Sequence, residues 1–358
     1  MRSNVEPISL TRNEQKVLYG LICYPHLKDN ALSKQIDVKL STLTSIKRRL
    51  QDQGITRHLI VPMLNRLGSE LLAVIYTQFN PVIPLQERAK KTKQTIEVFE
   101  EIFFSIGEQE KGFSISLSKN YTNIGRINEI RTETFGTLGL LEMEYPHEVI
   151  FPFESSDIVR FFDFRRAIGT LYHFEDIAHE SRDESSFELK KAKKLSDKEK
   201  KVFVEIIRKP NATTQEIGEK VSLSRHTVSR MKKHFFDLQL MKHMVIPDLK
   251  QLGFRILAFY HLQFSPGKAP TKEDISYLDS ASTFFLARRK YEVVLIAAYP
   301  SYQDYKDDKM NKIRYLKENK FISYNPLVRK YMFEQLIILK NFDFSPISNK
   351  IIESNSEK

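Results

Sequence analysis

Hydrophobic residues along the chain fall first at helical spacing, then at alternating spacing, and the whole order occurs twice. In the first pass, Val17, Leu18, Leu21 and Ile22 follow Thr11-Arg12-Asn13-Glu14. A capping threonine with an acid three residues later predicts a helix that ends near Pro25. A short helix follows over Ala31 to Ile36, and after a tight turn a third over Thr42 to Gln53, whose stripe Leu43, Ile46 and Leu50 sits at i, i+3, i+7. Ile55 to Pro62 alternates apolar and polar residues, as the hairpin wing beside such helices would. The pattern then predicts strand 71–79, helix 85–99, strands 102–106 and 113–117, helix 122–141 and strand 148–153. The order β-α-β-β-α-β makes a four-stranded antiparallel sheet with two helices on one face, the ferredoxin-like plan.

The second pass repeats the first. A shift of 185 residues aligns Leu10 to Pro81 with Leu195 to Pro266 without a gap, placing Pro25 on Pro210, Thr42 on Thr227, His58 on His243 and Leu67-Gly68 on Leu252-Gly253. The shift becomes 181 where Phe103-Phe104 meets Phe284-Phe285, and 180 where Phe162-Asp163-Phe164 meets Phe342-Asp343-Phe344. Small loop insertions account for the drift. The second copy predicts helices near 196–210, 214–221 and 225–238, a wing over Leu240 to Pro247, strands 256–264, 283–287, 293–298 and 328–333, and helices 272–278 and 303–318. The fold class is therefore α+β, a tandem repeat of a winged helix-turn-helix domain followed by a ferredoxin-like domain. The expected boundaries are 8–66 and 67–175 for the first pair, 176–194 for a linker rich in Glu, Ser and Lys, 195–251 and 252–348 for the second pair, and 349–358 for a tail.

Charge sharpens this picture. The 358 residues carry a formal +11, but residues 10–66 hold 10 basic and 4 acidic side chains while residues 67–180 hold 11 and 18. Residues 195–251 hold 12 and 7. The basic excess thus recurs on each helical head, where a polyanion-binding surface is expected. No apolar run is long enough to cross a bilayer and the first residues lack a secretory leader's apolar stretch, so a cytoplasmic protein is expected, with no membrane partner. The single cysteine, Cys23, excludes a disulfide framework.

The third helix of each copy has a polar, cationic outer face. Thr42, Ser45, Lys47, Arg48 and Arg49 form it in the first copy, with Arg57 on the wing, and Arg225, His226, Thr227, Ser229, Arg230, Lys232 and Lys233 form it in the second. A helix fits the major groove of double-stranded DNA, where short hydroxyl and long cationic side chains reach base edges and phosphates. On this reading Lys47, Arg48, Lys232 and Lys233 hold phosphates, while Thr42, Ser45, Thr227 and Arg230 read bases. The two helices differ, so the target is an imperfect palindrome.

Leu50-Gln51-Asp52-Gln53-Gly54-Ile55-Thr56-Arg57, then Leu67-Gly68 and Leu72-Ala73-Val74, resembles the helix end, Gly-Ile turn, wing, Leu-Gly step and first strand of the Lrp/AsnC transcription regulators. The resemblance covers the first seventy residues of each copy. It implies a DNA-binding regulator in which the fused copies supply a built-in pseudo-dimer, with a small-molecule effector and a homodimer as further partners. Where that family tends to carry a Gly-Tyr-Asp-like effector loop, this chain has Gly107 to Phe113 and, in the second copy, Arg288-Arg289-Lys290-Tyr291. Arg288, Arg289 and Lys290 are therefore the candidate effector or anion loop. Gln239 stands where the first copy has Gly54, which predicts a different turn into the second wing.

For catalysis the sequence offers no phosphate loop, no nucleophile elbow and no metal-binding spacing, so neither an enzyme nor a cofactor or metal is expected. Two other readings remain open: a tetrapyrrole enzyme like the siroheme decarboxylases, which are similar to this family in fold, and a scaffold whose winged helices contact other proteins.

Overall fold

A computed structural model describes residues 7–142, 144–174, 187 and 192–354. The expected linker at 176–194 lies outside the described residues except for Phe187 and residues 192–194. The first helical head comprises α1 (Arg12–Cys23), α2 (Asp29–Gln35) and α3 (Leu40–Asp52), followed by β1 (Thr56–Pro62). After one 3-10 turn, Leu64–Arg66, come β2 (Leu71–Gln78), α4 (Leu85–Glu97), β3 (Ile102–Gly107), β4 (Lys111–Ser118), α5 (Tyr121–Thr137) and β5 (His147–Pro152). The first copy closes with β6 (Ser156–Arg160) and α6 (Arg165–Tyr172). The second repeats the series as α7 (Asp197–Arg208), α8 (Thr214–Val221), α9 (Arg225–Asp237), β7 (Met241–Pro247), β8 (Ile256–Gln263), α10 (Lys272–Leu278), β9 (Thr283–Arg289), β10 (Glu292–Tyr299), α11 (Tyr302–Glu318), β11 (Leu327–Met332), β12 (Ile337–Asn341) and α12 (Ser345–Ser354). The elements from α1 to β5 and from α7 to β11 agree with the order expected from the hydrophobic pattern, an α+β repeat of helix-turn-helix and ferredoxin-like parts, whereas β6, α6, β12 and α12 are additions to it.

The compact units are not the two copies. One contains residues up to 59, 156–185 and 243–334; the other contains 60–155, 186–242 and 335–358. In the first unit, the sheet has the order β11-β8-β10-β9-β6, so the last strand of copy one extends the sheet of copy two. In the second unit, the order is β12-β3-β4-β2-β5, and the last strand of copy two extends the sheet of copy one. Both added strands pair antiparallel, Ser156 opposite Arg289 and Ile337 opposite Gly107. Each four-stranded sheet thus becomes five-stranded and hides the edge that would otherwise be open.

The repeated Phe-Asp-Phe follows each added strand and anchors it. Phe162 and Phe342 take left-handed backbone angles, φ +52° and +55°, which a non-glycine residue adopts only where packing holds it. Phe162 and Phe164 pack on Phe284 at 6.0 and 4.9 Å; Phe342 packs on Phe104 at 4.7 Å and Phe344 on Phe103 at 4.6 Å. The intervening aspartates cap the next helix: Asp163 accepts the Arg165 N–H at 3.1 Å and Asp343 the Ser345 N–H at 3.3 Å. Those helices return to the heads, α6 against α1 and α12 against α7. The segment 349–358, expected as a tail, accordingly begins inside α12, because Ile347, Ile351 and Ile352 are buried.

Two further expectations are corrected. Neither wing is a local hairpin: β1 and β7 pair with each other in a two-stranded sheet. Each segment supplies one strand and no turn to fold it back, so its partner is its own counterpart. The turn into the second wing does not differ either. Gln239 takes φ +54° where Gly54 takes +69°, and its side-chain oxygen accepts from Arg66 at 2.8 Å.

In the first unit, Arg160 on β6 forms two bonds to Asp279, at 2.6 and 2.8 Å, and one to Asp163 at 3.0 Å. Burial alone would raise the Asp163 carboxyl, but Arg165 and Arg160 hold it below its ordinary range. Its contribution is therefore present above the unfolded carboxyl's pKa of about 3.9 and is lost as pH falls through the folded value. Asp163→Asn should cost about 1.5–3 kcal/mol at pH 7. Urea unfolding of variant and wild type should show that difference shrinking below about pH 4; a difference that stays constant into acid contradicts the assignment.

Candidate nucleic-acid interface

The third helix of each head is amphipathic along its whole length, and the buried side decides which residues face outward. In α9, Val228 and Phe235 are buried. The residues opposite them, Arg225, His226, Ser229, Arg230 and Lys233, are all exposed. They form two adjacent rows at i, i+4 spacing, and among the described residues none of their side chains has a hydrogen-bond or ion-pair partner within the chain. Three permanent cations, an imidazole and a hydroxyl thus share one solvent-facing surface.

The geometry upstream is set by caps. Thr213 and Glu216 form a reciprocal capping box at the start of α8, and Ser222 takes a left-handed conformation at its end. Gly218 permits the following turn to close, since a Cβ there would meet the Leu223 carbonyl oxygen at 2.6 Å. Ser224 then caps α9 by accepting the Thr227 N–H at 3.2 Å. The hydroxyls of Ser224 and Thr227 are also hydrogen-bonded to each other, at 2.9 Å. Thr227, expected to read bases, therefore spends its hydroxyl on the helix start. Lys232 is half-buried, and desolvation lowers its pKa, so Lys233 is the better placed phosphate ligand.

The same face of α3 is different. A shift of 185 places Leu40, Ser41, Thr44, Ser45 and Arg48 on it, all exposed, with Arg48 as its single cation. Arg48 also lies 3.6 Å from Asp52. The remaining expected cations sit on the flanks and are neutralised within the head: Lys47 by Asp29 at 2.6 Å, and Arg49 by Glu14. Thr42 is half-buried and Arg57 exposed on β1. The sequence reading thus identified Ser45 and Arg48 correctly as outward-facing but assigned no role to Ser41 and Thr44. Their i+4 relation to Ser45 and Arg48, counted against the buried Leu43-Ile46-Leu50 stripe, marks them.

The other singled-out groups are occupied. His58 and His243 share a hydrogen bond of 2.9 Å between β1 and β7, so each imidazole faces the other. Arg288 is bonded to Asp157 at 2.6 and 2.8 Å, Arg289 pairs with Glu292, and the Lys290 ammonium lies 5.3 Å from the Tyr291 ring. The expected anion loop therefore has both guanidiniums matched by carboxylates. Burial pushes the Cys23 thiol up to about 12, which removes it as a nucleophile. Among the described residues, no group of three His, Cys, Asp or Glu is arranged to hold a metal ion, and no helix is long and apolar enough to cross a membrane.

No family profile and no curated protein sequence matches the chain. Among solved structures, the siroheme decarboxylase NirDL is similar over 96% of this chain and 100% of its own, with a TM-score of 0.51 and 10% identity. An AsnC family transcriptional regulator from Agrobacterium tumefaciens aligns with 38% of this chain and 89% of its own, with a TM-score of 0.30 and 10% identity. LrpC of B. subtilis aligns with 39% and 95%, with a TM-score of 0.30 and 14% identity. At this identity the full-length likeness to NirDL describes the fold alone.

Proposed function

We propose that the chain is a sequence-reading, DNA-binding transcription regulator in which α9 supplies most of the contacts and α3 a weaker second set. The observation that carries this reading is the outer face of α9. Arg225, His226, Ser229, Arg230 and Lys233 are exposed together and make no hydrogen bond or ion pair within the chain among the described residues. Guanidinium forks match the two acceptors of guanine in the major groove, and flexible ammonium groups hold phosphates. Arg230, one turn into the helix, is assigned to a base edge, Arg225 and Lys233 to phosphates, and Ser229 to either. On α3, Ser41 and Ser45 are suited to a shorter, hydroxyl-based reading with Arg48 on the backbone, whereas the Thr44 hydroxyl donates to the Leu40 carbonyl oxygen at 3.0 Å. A tetrapyrrole enzyme on the same fold is the second reading, supported by the full-length likeness to NirDL.

Selection of the purified protein on random duplexes at two salt concentrations, with an absorbance scan of the same preparation, separates the two readings. An enriched motif whose affinity falls steeply with salt supports the regulator. No enrichment, together with a visible tetrapyrrole band, favours the enzyme.

The unequal helices give a sharper expectation on the selected duplex. Arg230→Ala should cost roughly 1–3 kcal/mol and relax preference at one position, and Lys233→Ala should reduce the salt slope by about 1 without changing preference. Lys47→Ala, whose ammonium is already held by Asp29, should change affinity by less than about 0.5 kcal/mol. Fluorescence anisotropy reads all three; equal losses for Lys47→Ala and Arg230→Ala would contradict the dominance of α9.

A further inference from the structure

The two ferredoxin-like interiors are built from the same elements but filled differently. In the copy-two sheet, the face turned toward α10 and α11 is continuously apolar: Ile256, Ala258, Tyr260 and Leu262 on β8, Val293, Leu295 and Ala297 on β10, and Leu286 on β9 join one core. In the copy-one sheet, the corresponding apolar packing among the described residues falls in two clusters. One contains Leu71, Ala73, Ile96, Ile124 and Ile127, the other Phe79, Phe135 and Leu140. Between them lie Ile75, opposite Ser114, and several polar or very small residues. Gly112, Ser114 and Ser105 stand where the other sheet has Val293, Leu295 and Leu286.

Two arginines enter this belt. Arg88 on α4 and Arg131 on α5 are 1% and 2% exposed. Arg88 donates one Nη2 hydrogen bond to the Glu108 carbonyl oxygen and stacks 4.3 Å from the Phe79 ring, which leaves its Nε and Nη1 without a hydrogen-bond partner. Arg131 donates from Nη1 to Ser114 Oγ at 2.8 Å, and its Nε has no partner. Thr92 Oγ1 and Asn128 Oδ1, on the same two helices, are likewise buried and unsatisfied. Desolvation is the cause that pulls both guanidiniums down to about 10, with no carboxylate opposing it.

The second copy shows what is missing. A shift of 181 aligns α5 with α11 from cap to end and places Arg131 on Lys312. Lys312 is also buried, but its ammonium is held by Asp308 at 2.5 Å and by Ser280 at 2.8 Å. The residue equivalent to Asp308 in the first copy is Ile127. Copy one therefore retains a buried cation at this position, adds a second, and lacks the internal acid. A buried charge without a partner is strongly unfavourable, whereas an anion supplied from outside satisfies both.

We propose that the buried polar region between α4, α5 and the copy-one sheet is a binding site for a small carboxylate-bearing organic anion, held by the unpaired edges of Arg88 and Arg131 with Thr92 and Asn128 on the same two helices. Guanidinium forks match carboxylates in geometry. The Phe79 and Phe135 rings against which the arginines lie offer an apolar wall for a short carbon skeleton. The site is distinct from the Arg288-Arg289-Lys290 turn, and it stands independently of the DNA reading.

The test is thermal unfolding of the full chain in sodium succinate, sodium phosphate and sodium chloride at matched ionic strength, for wild type, Arg131→Met and Ile127→Asp. Ile127→Asp places an acid four residues before Arg131, as Asp308 stands before Lys312. Succinate should give a saturable rise in Tm beyond that in chloride, and both variants should lose it. Each variant should also melt no lower than wild type without added anion, since Arg131→Met removes, and Ile127→Asp pairs, one of the two uncompensated charges. A rise in phosphate alone, a rise that survives Arg131→Met, or no rise together with a lower Tm for both variants would overturn the proposal.

Discussion

Closure of each sheet edge by a strand from the other copy is the constraint on which the rest of the structure depends. A ferredoxin-like sheet alone leaves β3 or β9 as an unpaired edge. Here β12 and β6 cover those edges, and the Phe-Asp-Phe turn that follows makes the closure specific. Its first phenylalanine accepts a left-handed backbone, its aspartate caps the next helix, and both rings enter an aromatic cluster already present on the sheet. The capped helix then packs on the first helix of a head. Sheet, turn, helix and head are thus one cooperative assembly in each unit, drawn from both copies. Neither sequence copy contains all the parts of either unit.

Within that shared frame the copies have distributed their charges in opposite ways. The copy-one head neutralises its flanking cations with Asp29 and Glu14, and the copy-two head leaves its outward cations to solvent. In the ferredoxin-like parts the contrast reverses: copy two pairs its buried Lys312 with Asp308, and copy one leaves two buried arginines unmatched. A solvated surface cation costs little, so its exposure marks availability rather than strain. An unmatched buried cation costs a great deal. The two kinds of unpaired charge thus point to different ligands, an extended polyanion for α9 and a small enclosed anion for Arg88 and Arg131.

Much of this was legible in the sequence wherever one residue's environment depends on close neighbours. The capping boxes at Thr11–Glu14 and Ser196–Glu199 appear as read, and the apolar runs of β2, β8 and β10, with the alternation of β4, set their extents within two residues. The added strands were not legible. Five residues carry little periodic signal, and their partners lie far away in sequence. The β1–β7 pairing was missed because a strand segment does not reveal whether it folds back or meets its counterpart. On α3 the cations looked equivalent, and only the positions of Asp29 and Glu14 in space separate Lys47 and Arg49 from Arg48. Arg88 sits among Lys90, Lys91 and Lys93, in a run that resembles a solvated helix face, yet its position against β3 buries it.

The asymmetry also explains what fusion makes accessible. In a symmetric dimer of one short chain, any change in a head or an interior occurs twice, so replacing the acid that neutralises a buried cation would leave both interiors uncompensated. In the fused chain, Ile127 can differ from Asp308, and Lys47 can be tied down where Lys232 is not, at the cost of one site only. The parts shared by both copies are those that both units need at once: the Phe-Asp-Phe turns, the capping boxes that open α1 and α7, and the apolar stripes of the third helices. The parts that differ are those that meet solvent or enclose unpaired groups. Duplication has therefore retained the assembly rule in both copies while leaving the outward faces of the third helices and the buried charges free to differ.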